Sequence, residues 1–323
     1  MNTIYDQARS AAAWRDMSHF GRFRMAGSDA GTLLHHLTTN NIKALRPGFG
    51  CDAALITSKA RLLDILTVFR DSNGYLVVTS PNRRAMFAPH ARKFVLFRQD
   101  ISINDTTDTS ALIGIFGPQA ATALAKVGLD ADDSAAPNVI QTLKAGELEV
   151  FAARTGRLPG GGFFVWSTDA AQLRALFTES ELPHVDNETY NILRIEDGIP
   201  VAGLEITEDF NPWEANLDAM ISLSKGCYNG QEIVARLNTY QKIKQRLRGV
   251  KLQSPLASAL PVPLKIEGRD ATTITSSAVS PIHGPVALAY VRTAWNEAGS
   301  QLEIEQQNGV VSNLPFENAT ETE

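Results

Sequence analysis

Residues 54–80 read ALITSKARLLDILTVFRDSNGYLVVTS. β-Branched residues crowd both arms, and between them lies Asn73-Gly74, a pair suited to a tight hairpin turn. The spacing predicts two strands folded back on each other around Asp71–Gly74, a β-hairpin over about 53–80. An all-helical chain is thereby excluded. Upstream, Ser28 or Asp29 can cap a helix in which Leu33, Leu34, Leu37 and Ile42 recur at helical spacing until Arg46, Pro47 and Gly48 stop it. Downstream, a helix is expected over 82–93 and another over 118–127. Strand-like ISIND (101–105), ALIGIFG (111–117), LEVFAAR (148–154) and FFVWS (163–167) alternate with them. The glycine-rich GRLPGGGFF (156–164) lies between two of these strands and reads as a hairpin loop. From Arg246 the pattern changes to short apolar segments broken by polar turns: LRGVKL, TTITSSAV, VALAYV and LEIEQ. The reading is therefore an α+β region over 1–245 and a small β-barrel or sandwich over 246–323.

At 323 residues the chain is long enough for two or three domains. With 44% hydrophobic and 20% charged residues, and no apolar run near the ~20 residues that span a bilayer, the expectation is a soluble protein that does not cross a membrane. The N-terminus carries Asp6 and Asp16 and lacks an apolar core, so it resembles neither a secretory signal nor a transit peptide. A cytoplasmic setting is expected. Thirty Lys plus Arg against 35 Asp plus Glu give a net charge of −5, which argues against general nucleic-acid binding and makes any anion site local. Two cysteines, Cys51 and Cys227, are too few for a disulfide framework or a zinc ligand set. No GxGxxG follows a strand and no GxxxxGK[ST] occurs, so neither a dinucleotide fold nor a P-loop is supported.

One stretch carries chemistry: KGCYNGQE, 225–232. Asn229 with Glu232 three residues on, ahead of Ile233, Val234 and Leu237, has the spacing of a capping box, which predicts a helix from Gly230. Cys227 would then lie at the positive end of the helix dipole and near Lys225, and both influences favour thiolate. Gly226 and Gly230 permit positive φ or close backbone approach. On residue physics alone two readings stand: a reactive thiol, and a small apolar residue filling a corner.

Together with NPWEANLDAMISLS before it and IVARL after it, KGCYNGQE resembles the signature of the YgfZ-type folate-binding proteins of iron-sulfur cluster assembly, relatives of the glycine-cleavage T-protein (aminomethyltransferase). Likeness to the wider superfamily extends over DMSHFGRFRMAGSDAGTLLHHLTTNNIKALRPG (16–48), ARTG (153–156), YNILRIEDGIPVAG (190–203), ALAYV (287–291) and LPF (314–316). The resemblance implies a three-domain cloverleaf: two interleaved ferredoxin-like α+β units and a C-terminal β-barrel around a central hole that accepts tetrahydrofolate. It assigns Glu196 to the amine edge of the pterin, where a carboxylate can accept two parallel hydrogen bonds. Asp64 stands where the transferases carry paired aspartates, but Ile65 replaces the second, which counts against aminomethyl transfer. Tyr228 and Arg236 join the implied folate contacts, and Cys227 with Lys225 forms the implied reactive pair. The transferases lack this cysteine.

Arg236, Lys242, Lys244, Arg246 and Arg248 form either a solvated face or a local anion site. The implied partners are folate and the iron-sulfur assembly machinery or its client enzymes. One cysteine falls short of the roughly four thiolates a cluster takes, so no stable metal centre is expected, and Cys227 would serve as a transient ligand. Two alternatives remain: a folate-dependent aminomethyltransferase, and a non-catalytic scaffold.

Overall fold

The computed structural model describes residues 3–240, 242–266 and 269–317; the chain ends and the three internal positions that the boundary expectations also span lie outside the described residues. In chain order the first part contains α1 (Ile4–Ser10), β1 (Ala13–Asp16), β2 (Arg22–Ala26), α2 (Ala30–Leu37), β3 (Phe49–Ile56), β4 (Leu62–Asp71), β5 (Gly74–Val78), α3 (Arg84–Arg92) and β6 (Ser102–Asp105). Then follow β7 (Ala111–Phe116), α4 (Ala120–Lys126), β8 (Gln141–Ala145), β9 (Leu148–Thr155), β10 (Gly162–Ser167), α5 (Ala170–Thr178), α6 (Asn187–Glu196) and α7 (Gln231–Thr239). The last part is all strand: β11 (Gln245–Leu252), β12 (Val262–Ile266), β13 (Arg269–Ser280), β14 (Gly284–Arg292), β15 (Gln301–Ile304) and β16 (Gln307–Ser312).

The turn at Asn73-Gly74 forms: Asp71 pairs with Gly74 across β4 and β5, and Asp71 Oδ1 accepts the Asn73 N–H at 2.8 Å. The long arm before it is not one strand, however. It breaks between Ile56 and Leu62, where the Thr57 N–H reaches the Arg61 carbonyl at 2.9 Å and Ala60 takes φ +57°. Thr57 Oγ1 accepts the amides of Lys59 and Arg61, a side-chain cap that stands in for the missing turn glycine. The upstream helix is likewise shorter than its apolar spacing suggests, since α2 ends at Leu37 and Ile42–Ala44 forms a separate 3-10 turn.

The strands build three antiparallel sheets with orders β3-β4-β5-β2-β6, β1-β7-β10-β9-β8 and β12-β13-β14-β11-β16-β15. β1 leaves its sequence neighbour β2 to pair with β7, which interleaves the first two units. Because side chains alternate along a strand, each of these sheets buries both faces. In the first, Leu66 and Val68 pack under α2 and α3 with Leu34 and Phe87, whereas Phe69 points the other way. In the second, Ile113, Ile115 and Val165 pack under α4 and α5, while Leu112, Phe116 and Trp166 meet Phe69 between the sheets. Phe69 and Trp166 stack at 4.7 Å. The third sheet curls, helped by a register shift between Ile274 and Ser276, and encloses Val250, Ile274, Ala289 and Ile304. The α+β class and the three-part architecture follow from this. Among the described residues no helix is long and apolar enough to cross a membrane.

α6 is the hub. Asp186 caps it by accepting the Thr189 N–H at 2.7 Å, and Gly198, at φ +71°, ends it just beyond Asp197. Its buried Arg194 is held at 3.0 Å by Glu205, which also accepts from Val201 N–H, Thr275 and Ser276. One carboxylate thus ties α6, the 201–206 segment and β13 together.

Candidate functional site

A cleft of about 460 Å³ opens where the first two units meet α6 and the segment after it. Its lining includes Arg15 from β1, Phe20 from the β1–β2 link, Ser80, Arg157 from the β9–β10 loop, and Tyr190 and Asn191 from α6. The Arg15 guanidinium lies 4.6 Å from the centre of the Tyr190 ring. Asp64 sits directly behind this wall and has no exposed surface. It accepts the Ser80 N–H at 3.2 Å and the Ile65 N–H at 2.8 Å. Burial pushes its carboxyl up to about 6, against the lowering pull of Ser80 and Arg157. Ile65 turns into the apolar cluster around Trp213 and Tyr290, so the second carboxylate of the transferases has no counterpart there.

Glu196 faces elsewhere. It lies at the end of α6, fully buried, and does not line the cleft. Oε1 accepts the Tyr5 hydroxyl at 2.8 Å, and Oε2 is paired with Arg9, which also reaches Asp197 at 2.8 Å. Burial, then Glu196 itself, pushes the Tyr5 phenol up to about 12. Both oxygens of Glu196, the residue expected to hold the pterin's amine edge, are thus engaged by α1. The helix that supplies these donors is set by a capping box, Thr3 with Asp6.

The KGCYNGQE loop is pinned on both sides of its cysteine. Lys225 is buried, and its Nζ donates to the carbonyls of His35, Thr38 and Asn40 at 2.6, 2.6 and 2.7 Å. Burial pushes the ammonium down to about 7, while the three carbonyls oppose this because only the protonated amine has three donors to fill them. All three donors of Lys225, the residue expected to serve the thiol, are spent on α2 and the turn after it. On the other side, the Asn229 N–H reaches the His36 carbonyl at 2.8 Å and its side-chain amide donates to Ile56 O at 3.3 Å. That bond replaces the predicted capping box. The N-cap of α7 is Gly230, at φ +78°, with no side-chain cap.

A Cβ at Gly230 would lie 2.6 Å from the Thr57 carbonyl, in a backbone conformation that L residues resist. Gly230→Ala is expected to cost about 2 kcal/mol or more, measured by denaturant unfolding. Gly226 shows no such need, its hypothetical Cβ meeting only His35 Nε2 at 3.9 Å.

Cys227 itself is exposed, whereas burial first and Asp52 second push the half-buried Cys51 thiol up to about 12. Tyr228 points into the core beside Trp213 and Val234, with the Lys225 ammonium 4.6 Å from its ring centre. Arg236 lines a separate groove on α7 with Leu237, Tyr240 and Lys242. The structure therefore brings Asp64 to the cleft but neither Tyr228 nor Arg236. Of the basic stretch, Arg246 pairs with Asp218 at 3.1 Å and Arg248 donates to Asn296 O at 2.9 Å. Arg15, Arg157 and Tyr190 escape the sequence reading as cleft residues, although Arg157 directly follows the ARTG stretch and Tyr190 opens YNILRIEDG.

The GCVT N-terminal domain family matches residues 4–225. A chloroplastic protein of Arabidopsis thaliana, provisionally named a transferase, is 32% identical over 314 residues, 93% of this chain and 70% of that protein. The aminomethyltransferase of Rubrobacter xylanophilus is 27% identical over 292 residues, 89% of this chain and 78% of that protein. The crystal structure of glycine cleavage system aminomethyltransferase T from Bartonella henselae superposes with a TM-score of 0.82 at 25% identity, covering 97% of this chain and 88% of that one.

Proposed function

Because the chain belongs to the GCVT N-terminal domain family, we propose that it binds tetrahydrofolate and assists the assembly or repair of iron-sulfur clusters in client enzymes, with Cys227 as its working thiol. The observation that carries this reading is the exposed cysteine, held at a fixed place on a folate-type fold by Lys225 on one side and Asn229 on the other. A thiol used only to fill a corner would be buried.

The cleft suits the ligand. Phe20 and Tyr190 offer ring faces, Asn187 and Asn191 offer amides, and Arg15 and Arg157 offer cations for a carboxylate tail. Bound tetrahydrofolate supplies a carrier for one-carbon units. Asp64, behind Ser80, sets the charge at the inner wall. Glu196 enters through its motif alone: it faces away from the cleft, and a pterin edge that reaches it has to take the place of Tyr5 or Arg9. Cys227 supplies one soft sulfur, and the remaining ligands of any cluster come from the partner. Aminomethyl transfer is the second reading, favoured by the names of the relatives and opposed by Ile65.

Calorimetric titration with tetrahydrofolate tests the ligand. One site per chain is expected, with thermal stabilisation that grows as RT ln(1 + [L]/Kd), about 2.7 kcal/mol at a hundredfold excess over Kd. Glu196→Gln should weaken binding by about 1.5–3 kcal/mol. Equal affinity in both proteins removes Glu196 from the site, and no binding by the wild type removes folate from the account.

A further inference from the structure

Between α3 and β6 the chain runs KFVLFRQD, residues 93–100, and displays the two most exposed large apolar side chains among the described residues: Phe97 at 91% and Leu96 at 69%. The display is built into the turn. The Leu96 N–H donates to Gln99 Oε1 at 2.8 Å, and the Gln99 N–H donates back to the Leu96 carbonyl at 3.2 Å. Arg98 takes φ +76°, a conformation unfavourable to an arginine. Scattered single apolar residues on a surface need no explanation, but an adjacent pair held outward by a closed turn does.

The charge around the tip is predominantly basic. Arg92, Lys93 and Arg98 are all exposed, and none enters an ion pair among the described residues. The neighbouring acid, Asp100, is turned to the Ser28 N–H at 3.0 Å. On a chain of net charge −5, this is a local basic rim around an apolar knuckle.

The knuckle connects to the Cys227 loop through two contacts. Phe94, at its base, packs against the His36 ring at 5.9 Å, and the His36 carbonyl accepts the Asn229 N–H, two residues from the cysteine. Counting at most ~3.6 Å per residue along the chain and adding these contacts with the ring-to-backbone lengths they span, Phe97 and Cys227 lie within roughly 35 Å of each other. A standard interface of ~800 Å² per partner is a disc about that wide.

We propose that the 93–99 knuckle is a docking surface for a partner protein that presents an apolar pocket rimmed by Asp and Glu, and that docking there brings the partner over Cys227. The second clause rests on the proposed role of Cys227; the first does not. The basic rim selects an acidic partner, since like charges across an interface are suppressed.

The test places the photoreactive residue p-benzoylphenylalanine at Phe97 in the full chain, in its own cells, with Ser224 as a second site in the cysteine loop and the exposed Ile282 as control. The expected result is one discrete protein adduct from Phe97, the same protein from Ser224, and none from Ile282. Purified, that protein should bind the wild type and lose at least tenfold in affinity with Phe97→Asp and with Lys93→Glu/Arg98→Glu, while Cys227→Ser binds unchanged. Retained docking by Cys227→Ser without support of iron-sulfur enzymes upholds both readings, whereas retained docking with full support overturns only the thiol. The docking proposal is overturned by the absence of a protein adduct, by an adduct at the mass of two copies of this chain, or by affinity indifferent to these substitutions. Cosedimentation with phosphatidylglycerol vesicles that depends on Phe97, in place of a protein adduct, overturns it in favour of a membrane.

Discussion

Glu205→Ala is expected to cost the fold about 3–5 kcal/mol, a large fraction of the stability of an ordinary domain. Glu205 has no exposed side-chain surface, and its partner Arg194 has 3%. Removing the carboxylate leaves a guanidinium buried without its counter-charge, together with the Val201 N–H and the Ser276 hydroxyl, which lose their acceptor, while Thr275 keeps the Leu288 carbonyl at 3.2 Å. The penalty comes from these orphaned groups rather than from the attraction lost, because desolvation offsets much of that attraction. The double variant Arg194→Met/Glu205→Met should therefore recover much of the loss. By contrast, Arg84→Ala, which removes ion pairs with Asp105 and Asp108 whose side chains are 34% and 78% exposed, should change stability by less than about 1 kcal/mol. Urea unfolding of these proteins makes the comparison. A cost for Glu205→Ala near that of Arg84→Ala would contradict the joint between α6 and β13.

Asp64→Asn is expected to stabilise the protein at neutral pH. The native carboxyl is held at about 6 against an ordinary 3.8, so between about pH 4 and 6 the native state keeps a proton that the unfolded chain releases. Stability contributed through this group therefore falls as pH rises across that window, and the penalty is complete above about pH 6. A displacement of roughly two units corresponds to on the order of 3 kcal/mol. Asparagine keeps an acceptor for the amides of Ser80 and Ile65 but carries no charge to bury. The observable is the difference in unfolding free energy between variant and wild type, followed from pH 4 to 7. It should grow across the window and then level off; a constant difference would show that the buried charge is not its source.

Much of the architecture is legible because it is written in local chemistry. The hairpin turn at Asn73-Gly74, the switch to short strands after Arg246 and the glycine-rich connection between β9 and β10 each follow from residue preferences that neighbours do not override. The break after Ile56 is not legible, since Ala60 adopts a left-handed conformation that sequence assigns to glycine or asparagine. It is stabilised by Thr57, whose capping role appears only once the turn exists. Interleaving is implied by the motif resemblance but not by pattern, because β1 finds its partner β7 about a hundred residues away.

The site divides in the same way. Cys227 stands out from its flanking glycines, and its exposure is compatible with either a ligand or a nucleophile. The partners of Lys225 cannot be read from sequence, since its three carbonyl acceptors lie more than 180 residues upstream. Asn229 has the right spacing for a cap, yet the Ile56 carbonyl claims its side chain. Glu196 belongs to a recognisable motif, but Tyr5 and Arg9, from the opposite end of the α+β region, determine which way its oxygens are engaged. Glu205 gives no signal at all, because a buried carboxylate looks like an exposed one until its arginine is placed.

Whether the fixed, exposed thiol of Cys227 serves iron-sulfur enzymes, as proposed above, is decided by the activities of iron-sulfur enzymes in cells whose only copy of this protein carries Cys227→Ser. Serine keeps the size and hydrogen bonding of cysteine but offers no soft ligand and no thiolate. These activities are expected to fall to the level of cells lacking the protein, while the variant remains folded, abundant and able to bind tetrahydrofolate with wild-type affinity. Undiminished activities with the folded, abundant variant would contradict that role and leave KGCYNGQE as a structural corner fastened by Lys225 and Asn229.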